Sequence, residues 1–278
     1  TVIVVSSDMS FTEAVNKLVE AKISSAPLLH KGEAKGYTSY FTLLDCVSTI
    51  CNKAGLQGSI RDFFTGAKPN VFQGFGDMPV DFVAGVSQRG EDKFVSLSEE
   101  EPLLKAVYLM SDENAPVHRV VVTAKDHPNM LVSIITASRM LKLVSAIVDE
   151  RDGPSGMTLK QCGLVGNREP IQVSAKITGA EAFQHMVKKG VSSCIVVDPP
   201  VELGGKEVQT ITNYISATDL AECVASMGLQ ETVELLTKPL SVFLEWRSQE
   251  HEAAGKMLMV YSKPETKLAR AIQTMLFY

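Results

Sequence analysis

The chain has 278 residues, of which 45% are hydrophobic, and this is enough for two compact units with substantial cores. Its formal net charge is −5, from 27 Lys and Arg against 32 Asp and Glu, so no general nucleic-acid-binding surface is expected. Because no apolar run approaches the roughly 18 residues that span a bilayer, and no signal segment opens the sequence, we expect no membrane insertion.

The five cysteines favour a cytoplasmic protein with reduced thiols. Their number is odd, no C-x-x-C motif is present, and Cys194 lies within an apolar run. Buried thiols are therefore expected rather than a disulfide framework or a zinc site. A cytoplasmic location is consistent with this cysteine usage, since reducing conditions there keep thiols free. We assign no residue as a metal ligand.

Four units in chain order begin with the same pattern, a strand followed by a capping box and an apolar helical face. In the first unit, residues 1–5 are all β-branched, Ser10 and Glu13 form the box, and apolar residues follow at helical spacing. The later boxes are Ser98 with Glu101, Thr178 with Glu181 and Ser262 with Glu265. The boxes recur at steps of 88, 80 and 84 residues, which indicates an internal repeat.

Each complete unit continues with a second strand, a third strand and another helix start. The third strand ends on a hydroxyl residue with an ionisable residue three positions later; the pairs are Thr42 and Asp45, Thr136 and Arg139, and Ser216 and Asp219. A helix N-terminus attracts anions, and a short carboxylate there can accept hydrogen bonds from a vicinal diol, so such a corner could hold a ribose and its phosphate.

Helix capping is the alternative explanation of these pairs. It accounts for the hydroxyl residues and could account for the two aspartates. It does not account for Arg139, because a cation in the first turn of a helix opposes the helix dipole.

Connectors between the repeats divide the chain. The stretch 56–90 is rich in glycine and phenylalanine and forms an irregular insertion, and a polar linker at 146–170 is typical of a domain boundary. The predicted organisation is repeat 1 at 1–55, the insertion at 56–90, repeat 2 at 91–145, the linker at 146–170, repeat 3 at 171–228, a connector at 229–256, and the start of a truncated repeat 4 at 257–278.

This order resembles the cystathionine-β-synthase (CBS) domain, a β-α-β-β-α module that pairs into two-repeat Bateman units. More closely it resembles the gamma subunit of the AMP-activated protein kinase family, which has four CBS repeats. The residues that carry the narrower likeness are Ala115-Pro-Val-His118-Arg119, Ile135-Thr136-Ala-Ser-Arg139 and the linker Met157-Thr-Leu-Lys-Gln-Cys-Gly-Leu164. The resemblance implies an α/β (α+β) fold of tandem CBS repeats paired into Bateman modules.

The resemblance also implies adenine-nucleotide binding (AMP, ADP or ATP) between paired repeats, with no catalytic residue and no further cofactor. Thr42 with Asp45 and Ser216 with Asp219 would contact ribose, while the residues that would meet phosphate or the central cleft are His118, Arg119, Thr136 and Arg139. Two alternatives stay open: Arg119 could form a surface ion pair, and His118 could be a core or interface histidine. The sequence departs from the family at Ser25, where an arginine is common, and the basic residues of the fourth repeat would lie beyond Tyr278.

Two functions therefore remain. The first is a non-catalytic regulatory module that binds adenine nucleotide and transmits its occupancy to a protein partner, with a kinase complex implied by the gamma-subunit likeness. The second is a scaffold that keeps the CBS fold for protein contacts and has weak or lost nucleotide binding. An enzyme is not expected, because the sequence has no catalytic triad pattern, phosphate-binding glycine loop or metal-ligand spacing.

Overall fold

The computed structural model describes residues 2–30, 36–53, 76–84, 94–112, 117–147, 153–166, 169–203, 206–253 and 260–277. Within them, three complete repeats have the order strand, helix, strand, strand, helix, and a fourth is represented by its first helix. Most of the predicted insertion at 56–90, residues 257–259 at the start of the predicted repeat 4, and Ala115 and Pro116 of the quoted motif lie outside the described residues.

The first repeat consists of β1 (Val5–Ser6), α1 (Phe11–Glu20), β2 (Ser25–His30), β3 (Gly36–Thr42) and α2 (Leu43–Lys53). Its sheet has the order β1-β2-β3, in which β2 runs parallel to β1 and antiparallel to β3. A parallel pair needs a crossover connection, and α1 supplies it. The predicted β-α-β-β-α order is therefore confirmed in this repeat.

The second repeat has the same topology. It consists of β4 (Ser96–Ser98), α3 (Leu103–Ser111), β5 (Arg119–Ala124), β6 (His127–Thr136) and α4 (Ala137–Ile147). Strand β5 pairs in parallel with β4 and antiparallel with β6, so each sheet position of the first repeat has a counterpart here.

The third repeat adds a hairpin to this plan. It consists of β7 (Gln172–Ser174), α5 (Gly179–Lys189), β8 (Ser193–Val197), β9 (Val201–Leu203), β10 (Lys206–Val208), β11 (Ile211–Ser216) and α6 (Ala217–Met227). Strands β9 and β10 pair only with each other among the described strands, while β7, β8 and β11 form the repeat's own sheet. The sequence analysis did not predict this hairpin.

Three further helices follow: α7 (Leu229–Leu236), α8 (Leu240–Ala253) and α9 (Leu268–Phe277). The first two lie in the predicted connector at 229–256, and the last is the first helix of repeat 4. None of the helices in the described residues is both long and apolar enough to cross a membrane.

The chain forms two compact units, and each combines two non-consecutive repeats. The first unit comprises 3–92 and 171–250, and thus repeats 1 and 3; the second comprises Val2, 93–170 and 251–278, and thus repeats 2 and 4. In the first unit, α1 packs against α6, and α2 packs against both α5 and α6. In the second unit, α4 packs against α9.

The first unit contains the larger core among the described residues. Phe183 and Phe243 meet edge to face at 5.3 Å between ring centroids, and Phe11 meets Phe41 at 6.5 Å. In the second unit the buried apolar cluster comprises Leu97, Ala106, Val117 and Val120. Burial of apolar side chains is the main stabilising term in folding, so the first unit has the stronger basis for stability.

Two of the four predicted capping boxes are confirmed. Ser10 caps α1 and Thr178 caps α5. In both cases the backbone N–H of the cap residue donates to the carboxylate of the glutamate three residues later. Each helix then buries its apolar face, and α5 ends at Gly190 in the left-handed conformation that glycine adopts at little cost.

The other two boxes were placed too early in the sequence. Helix α3 begins at Leu103 after Pro102, and α9 begins at Leu268, so the boxes at Ser98 and Ser262 are wrong as helix starts. The Ser98 N–H does bond to Glu101 Oε2 at 3.1 Å, but this closes a turn ahead of the helix. The same local pattern can cap a turn as well as a helix, which is the physical reason for the error.

Candidate functional site

The candidate site residues lie at three equivalent strand-to-helix corners. The first corner is Thr42 with Asp45, the second is Thr136 with Arg139, and the third is Ser216 with Asp219. Each hydroxyl residue pairs across the sheet with the first residue of the neighbouring strand; the pairs are Ser25 with Thr42, Arg119 with Thr136, and Ser193 with Ser216. The first and third corners belong to the first unit and the second corner to the second unit.

The first corner holds its carboxylate by a reciprocal cap. The backbone N–H and the hydroxyl of Thr42 donate to Asp45 Oδ2 at 2.9 and 2.8 Å, and the Asp45 N–H donates to Thr42 Oγ1 at 3.1 Å. Asp45 is 1% exposed, whereas Thr42 is half-buried. A negative charge in the first turn of α2 also interacts favourably with the helix dipole.

The third corner has the same geometry. The N–H and hydroxyl of Ser216 donate to Asp219 Oδ2 at 2.7 and 2.9 Å, and the Asp219 N–H donates to Ser216 Oγ at 3.3 Å. Asp219 is 3% exposed. Because α2 and α6 pack against each other, both carboxylates lie on neighbouring helices of one unit.

Arg247 is a site residue that the sequence analysis missed. It lies on α8, is 1% exposed, and places Nη1 3.2 Å from Asp219 Oδ2. The guanidinium also donates to the carbonyl of Tyr214 and to Asn213 Oδ1, and it lies 4.7 Å from the centroid of the Tyr214 ring. This contact is a buried, hydrogen-bonded ion pair that ties the connector helix to the third corner.

The contact between Arg247 and Asp219 joins residues 28 positions apart. The sequence signal for this contact was the position of Arg247 next to the apolar residues Phe243 and Trp246. A charged side chain is rarely buried without a partner, so this position indicates an ion pair. That signal indicates a buried partner but does not identify it.

The second corner carries positive charge instead. Thr136 Oγ1 accepts the N–H of Arg139 at 3.3 Å, so the hydroxyl still caps α4. The exposed Arg139 side chain donates to Ser133 Oγ at 3.2 Å and to the carbonyl of Ile134 at 3.0 Å. Arg119 is half-buried and lies opposite Thr136 in the sheet register. The corner therefore has one arginine at the start of β5 and a second in the first turn of α4.

His118 precedes β5 and is exposed, so it is not a core histidine within the second unit. Its position, next to Arg119 at the strand start, places it on the same edge of the sheet as Thr136. Repeat 2 therefore contains His118, Arg119, Thr136 and Arg139. The two aspartate corners lie in repeats 1 and 3.

The thiols are buried as predicted for four of the five cysteines. Cys46, Cys51, Cys194 and Cys223 are buried free thiols, and Cys162 is half-buried. Burial raises the pKa of Cys51 and Cys194 to about 12 from an ordinary value of 9.0. Burial, with a smaller contribution from the neighbouring Asp45 carboxylate, also raises the pKa of Cys46 well above its usual range. These thiols are therefore protonated and unreactive near neutral pH.

A comparison with known protein families matches part of the chain. Residues 89–146 match the family model of the CBS domain, so the second repeat is a CBS domain. The chain carries the tandem CBS fold. No curated protein matched the sequence.

One solved structure has a similar fold over the whole chain. A protein of Methanocaldococcus jannaschii, proposed as an archaeal homologue of g-AMPK, is 14% identical, and the match covers 100% of this chain and 86% of that one with a TM-score of 0.69. At this identity the likeness shows the fold.

Two further solved structures match less well. An uncharacterised conserved protein of Pyrococcus horikoshii is 13% identical, with 92% of this chain and 79% of that chain covered and a TM-score of 0.47. A CBS domain protein of Pyrobaculum aerophilum in complex with AMP is 14% identical, with 52% and 92% covered and a TM-score of 0.33.

Proposed function

We propose that this chain is a non-catalytic regulatory module that binds an adenine nucleotide at its CBS corners and transmits occupancy to a protein partner. The observation that carries the proposal is the recurrence of one hydroxyl-carboxylate pair, with matching hydrogen bonds, at the first and third corners. A carboxylate that accepts two ribose hydroxyls forms charge-assisted bonds, each contributing roughly 1.5–3 kcal/mol, and selects a cis-diol.

Burial of the two carboxylates couples binding to a structural change. Asp45 and Asp219 are both nearly inaccessible, so a ribose reaches them only when the corner opens. A ligand that binds the open arrangement more tightly than the closed one shifts the population towards it. This supports a sensor, because occupancy then changes the packing of α2 and α6, on which the two carboxylates lie.

The cations of the second corner suit a phosphate group of a ligand bound within the second unit. Arg139 is exposed, and Arg119 and His118 lie at the neighbouring strand start. Guanidinium groups bind phosphate through paired hydrogen bonds, so this corner favours a polyphosphate or a phosphate-bearing nucleotide.

A kinase-type partner and a cytoplasmic location belong to the same proposal. The fold likeness to the archaeal protein, which spans the whole chain, is what supports a gamma-subunit-like role in a larger assembly. Four buried reduced thiols are consistent with a reducing compartment.

The second candidate is a scaffold that uses the CBS fold for protein contacts without nucleotide. The ion pair between Arg247 and Asp219 favours it, because the carboxylate of the third corner already has a buried cationic partner inside the protein. In this function the aspartates are structural caps, and the partner recognises the outer surface of the repeats.

Calorimetric titration of the full-length protein with AMP, ADP and ATP separates the two functions. The sensor predicts saturable micromolar binding of at least one nucleotide and a strong loss of affinity in a variant that carries both Asp45→Asn and Asp219→Asn. The scaffold predicts no heat with any of the three. Circular dichroism of the double variant is the control for folding, since asparagine keeps the size of each side chain.

A further inference from the structure

Arg247 reaches the third corner from outside the repeat that forms it. The corner is the junction of β11 with α6, and α6 ends at Met227, whereas Arg247 lies on α8. All three elements, up to residue 250, belong to the first unit. The hydroxyl and the carboxylate of the corner therefore recur with the repeat, while the guanidinium is supplied by the connector.

The packing of α8 fixes the position of Arg247. At the start of this helix the N–H of Leu240 donates to the carbonyl of Ile177 at 2.7 Å. Phe243 then meets Phe183 edge to face, at 5.3 Å between ring centroids. Because residues four positions apart lie on the same face of a helix, Arg247 lies on the packed face that carries Phe243, and it is only 1% exposed.

Arg247 and Ser216 donate to the same carboxylate oxygen. Asp219 Oδ2 accepts the N–H and the hydroxyl of Ser216 at 2.7 and 2.9 Å, and Arg247 Nη1 lies 3.2 Å from it. A carboxylate oxygen offers about two lone-pair sites. The two Ser216 groups belong to the helix cap, so a ribose hydroxyl, as a further donor, can bond to this oxygen only by displacing Arg247.

A second contact of Arg247 also matches what a nucleoside offers. The guanidinium donates to the carbonyl of Tyr214 and lies 4.7 Å from the centroid of the Tyr214 ring. Adenine has the same two properties, since it carries N–H donors and a flat face that stacks on aromatic rings. Arg247 thus occupies an acceptor and an aromatic face that a nucleoside at this corner would use.

Two observations indicate that a ligand can displace this contact. Arg247 Nε is buried and has no hydrogen-bond partner among the described residues, and an unsatisfied buried donor is costly. Asn213, whose Oδ1 accepts a bond from Arg247 Nη2, is half-buried, as is Tyr214. The corner therefore adjoins solvent on the side of these two residues.

We propose that Arg247 competes with the nucleotide for the third corner and thereby sets the affinity of this corner. The inference rests on the proposed function, because it concerns the binding of ribose by Asp219. Without nucleotide the guanidinium occupies the carboxylate, and with nucleotide the ribose replaces it. The apparent affinity is reduced in proportion to the fraction of protein in which the corner is not occupied by Arg247. Weakening the Arg247 contact therefore tightens nucleotide binding, whereas loss of a ligand-binding residue weakens it.

Calorimetric titration with AMP tests the competition in the full-length protein carrying Asp45→Asn, in which the third corner keeps its aspartate. Arg247→Lys is added to this parent, because lysine retains a positive charge for Asp219 but lacks the planar fork that bonds several acceptors at once. Circular dichroism shows whether this variant is folded.

A milder variant and a matched control accompany it. Asn213→Ala removes one acceptor of the guanidinium at a half-buried position and leaves the buried ion pair in place, so the test does not depend on the stability of Arg247→Lys. Arg270→Lys makes the same chemical change at an exposed position of α9.

We expect AMP to bind at least about tenfold more tightly to Arg247→Lys and about threefold more tightly to Asn213→Ala than to the Asp45→Asn parent. Arg270→Lys should leave the affinity unchanged. Adding Asp219→Asn should cancel both gains, because they depend on ribose at this carboxylate.

Equal or weaker binding in Asn213→Ala, or in a folded Arg247→Lys, overturns the competition. A gain that persists after Asp219→Asn does so as well, because it does not arise at the third corner. If the wild type binds AMP but no protein with Asp45→Asn does, the competition is wrong and the proposed function stands. If neither the wild type nor Arg247→Lys binds any adenine nucleotide, both are wrong.

Discussion

The two compact units place opposite charges at the same backbone position. In the first unit the ionisable residue of both corners is a buried aspartate, whereas in the second unit it is the exposed Arg139. The hydroxyl of Thr136 still caps its helix, at 3.3 Å from the Arg139 N–H. Because the hydroxyl alone satisfies the helix start, the side chain three residues later is available to set the charge of the corner. In each corner the hydroxyl residue therefore caps the helix, and the ionisable residue three positions later determines the charge.

The two units also differ in their buried thiols, and we expect the stability of the first unit to depend more strongly on alkaline pH. The first unit contains all four buried thiols, while the second unit contains the half-buried Cys162. Burial raises the pKa of Cys51 to about 12 and the pKa of Cys223 to about 11. The pKa of Cys223 is raised by burial and, to a smaller extent, by the nearby Glu250 carboxylate, and it is lowered by a hydrogen bond with Thr232.

Alkaline pH should therefore produce the largest effect and should act on the first unit. A thiol whose pKa is higher in the folded than in the unfolded state stabilises the fold fully below about pH 9, and this stability is lost as the pH rises through 11 to 12. For Cys51 alone the loss at pH 12 is on the order of 4 kcal/mol. Urea unfolding followed by fluorescence of Trp246, the single tryptophan, reports on this unit.

The urea concentration at the midpoint of that transition should decrease as the pH is raised from 8 to 11. Cys51→Ala should make this decrease smaller. A midpoint that stays constant over this range, or an identical pH dependence in Cys51→Ala, contradicts the assignment of buried, protonated thiols to the first unit.

Removal of the buried arginine should have the next largest effect. Arg247→Leu leaves Asp219 as an uncompensated buried charge, and we expect a loss of about 3–5 kcal/mol in the free energy of unfolding. The matched control is Arg270→Leu at an exposed position of α9, which should change stability by less than about 0.5 kcal/mol. Urea denaturation followed by circular dichroism measures both.

A double variant sharpens this test of the third corner. Adding Asp219→Asn to Arg247→Leu removes the unpaired charge, so part of the lost stability should return. If the double variant is less stable by the full sum of the two single losses, the two side chains are not coupled and the ion pair has no energetic role.

The smallest expected effect compares the corners of the two units directly. Asp45→Ala removes the two bonds that the Asp45 carboxylate accepts from Thr42 and keeps the bond from the backbone N–H of residue 45 to Thr42 Oγ1, and it should cost about 1 kcal/mol. Arg139→Ala leaves the Thr136 cap intact and should cost less than about 0.5 kcal/mol. Thermal unfolding of the two variants side by side gives the ranking, and an equal loss in both would mean that the ionisable residue has the same structural role in each unit.

Much of the fold could be predicted from local sequence patterns. The strand, the apolar helical face and the corner hydroxyl recur in each repeat, and each is a short-range signal that the structure confirms for repeats 1 to 3. The capping boxes at Ser10 and Thr178 were found for the same reason. At Ser98 the same signal failed because its partner glutamate closes a turn, and the helix start depends on Pro102 instead.

Long-range contacts explain what could not be predicted. Arg247 reaches Asp219 only because α8 returns to the third corner, and no spacing in the sequence records that path. The association of repeat 1 with repeat 3 in one unit likewise depends on helix packing between segments more than one hundred residues apart. The isolated bridges of Ser10 with Pro79 and of Thr178 with Pro239 also join residues far apart in the sequence, so they become visible only in the folded chain.

The most direct test of the central claim is to locate nucleotide binding among the corners. AMP is titrated into the wild-type full-length protein, into Asp45→Asn, into Asp219→Asn and into Arg139→Ala, and the affinity and stoichiometry are measured by calorimetry. We predict that at least one aspartate variant loses affinity by tenfold or more, because a charge-assisted bond to the ribose contributes roughly 1.5–3 kcal/mol. Unchanged binding in both aspartate variants would contradict the claim that the carboxylate corners hold the ribose.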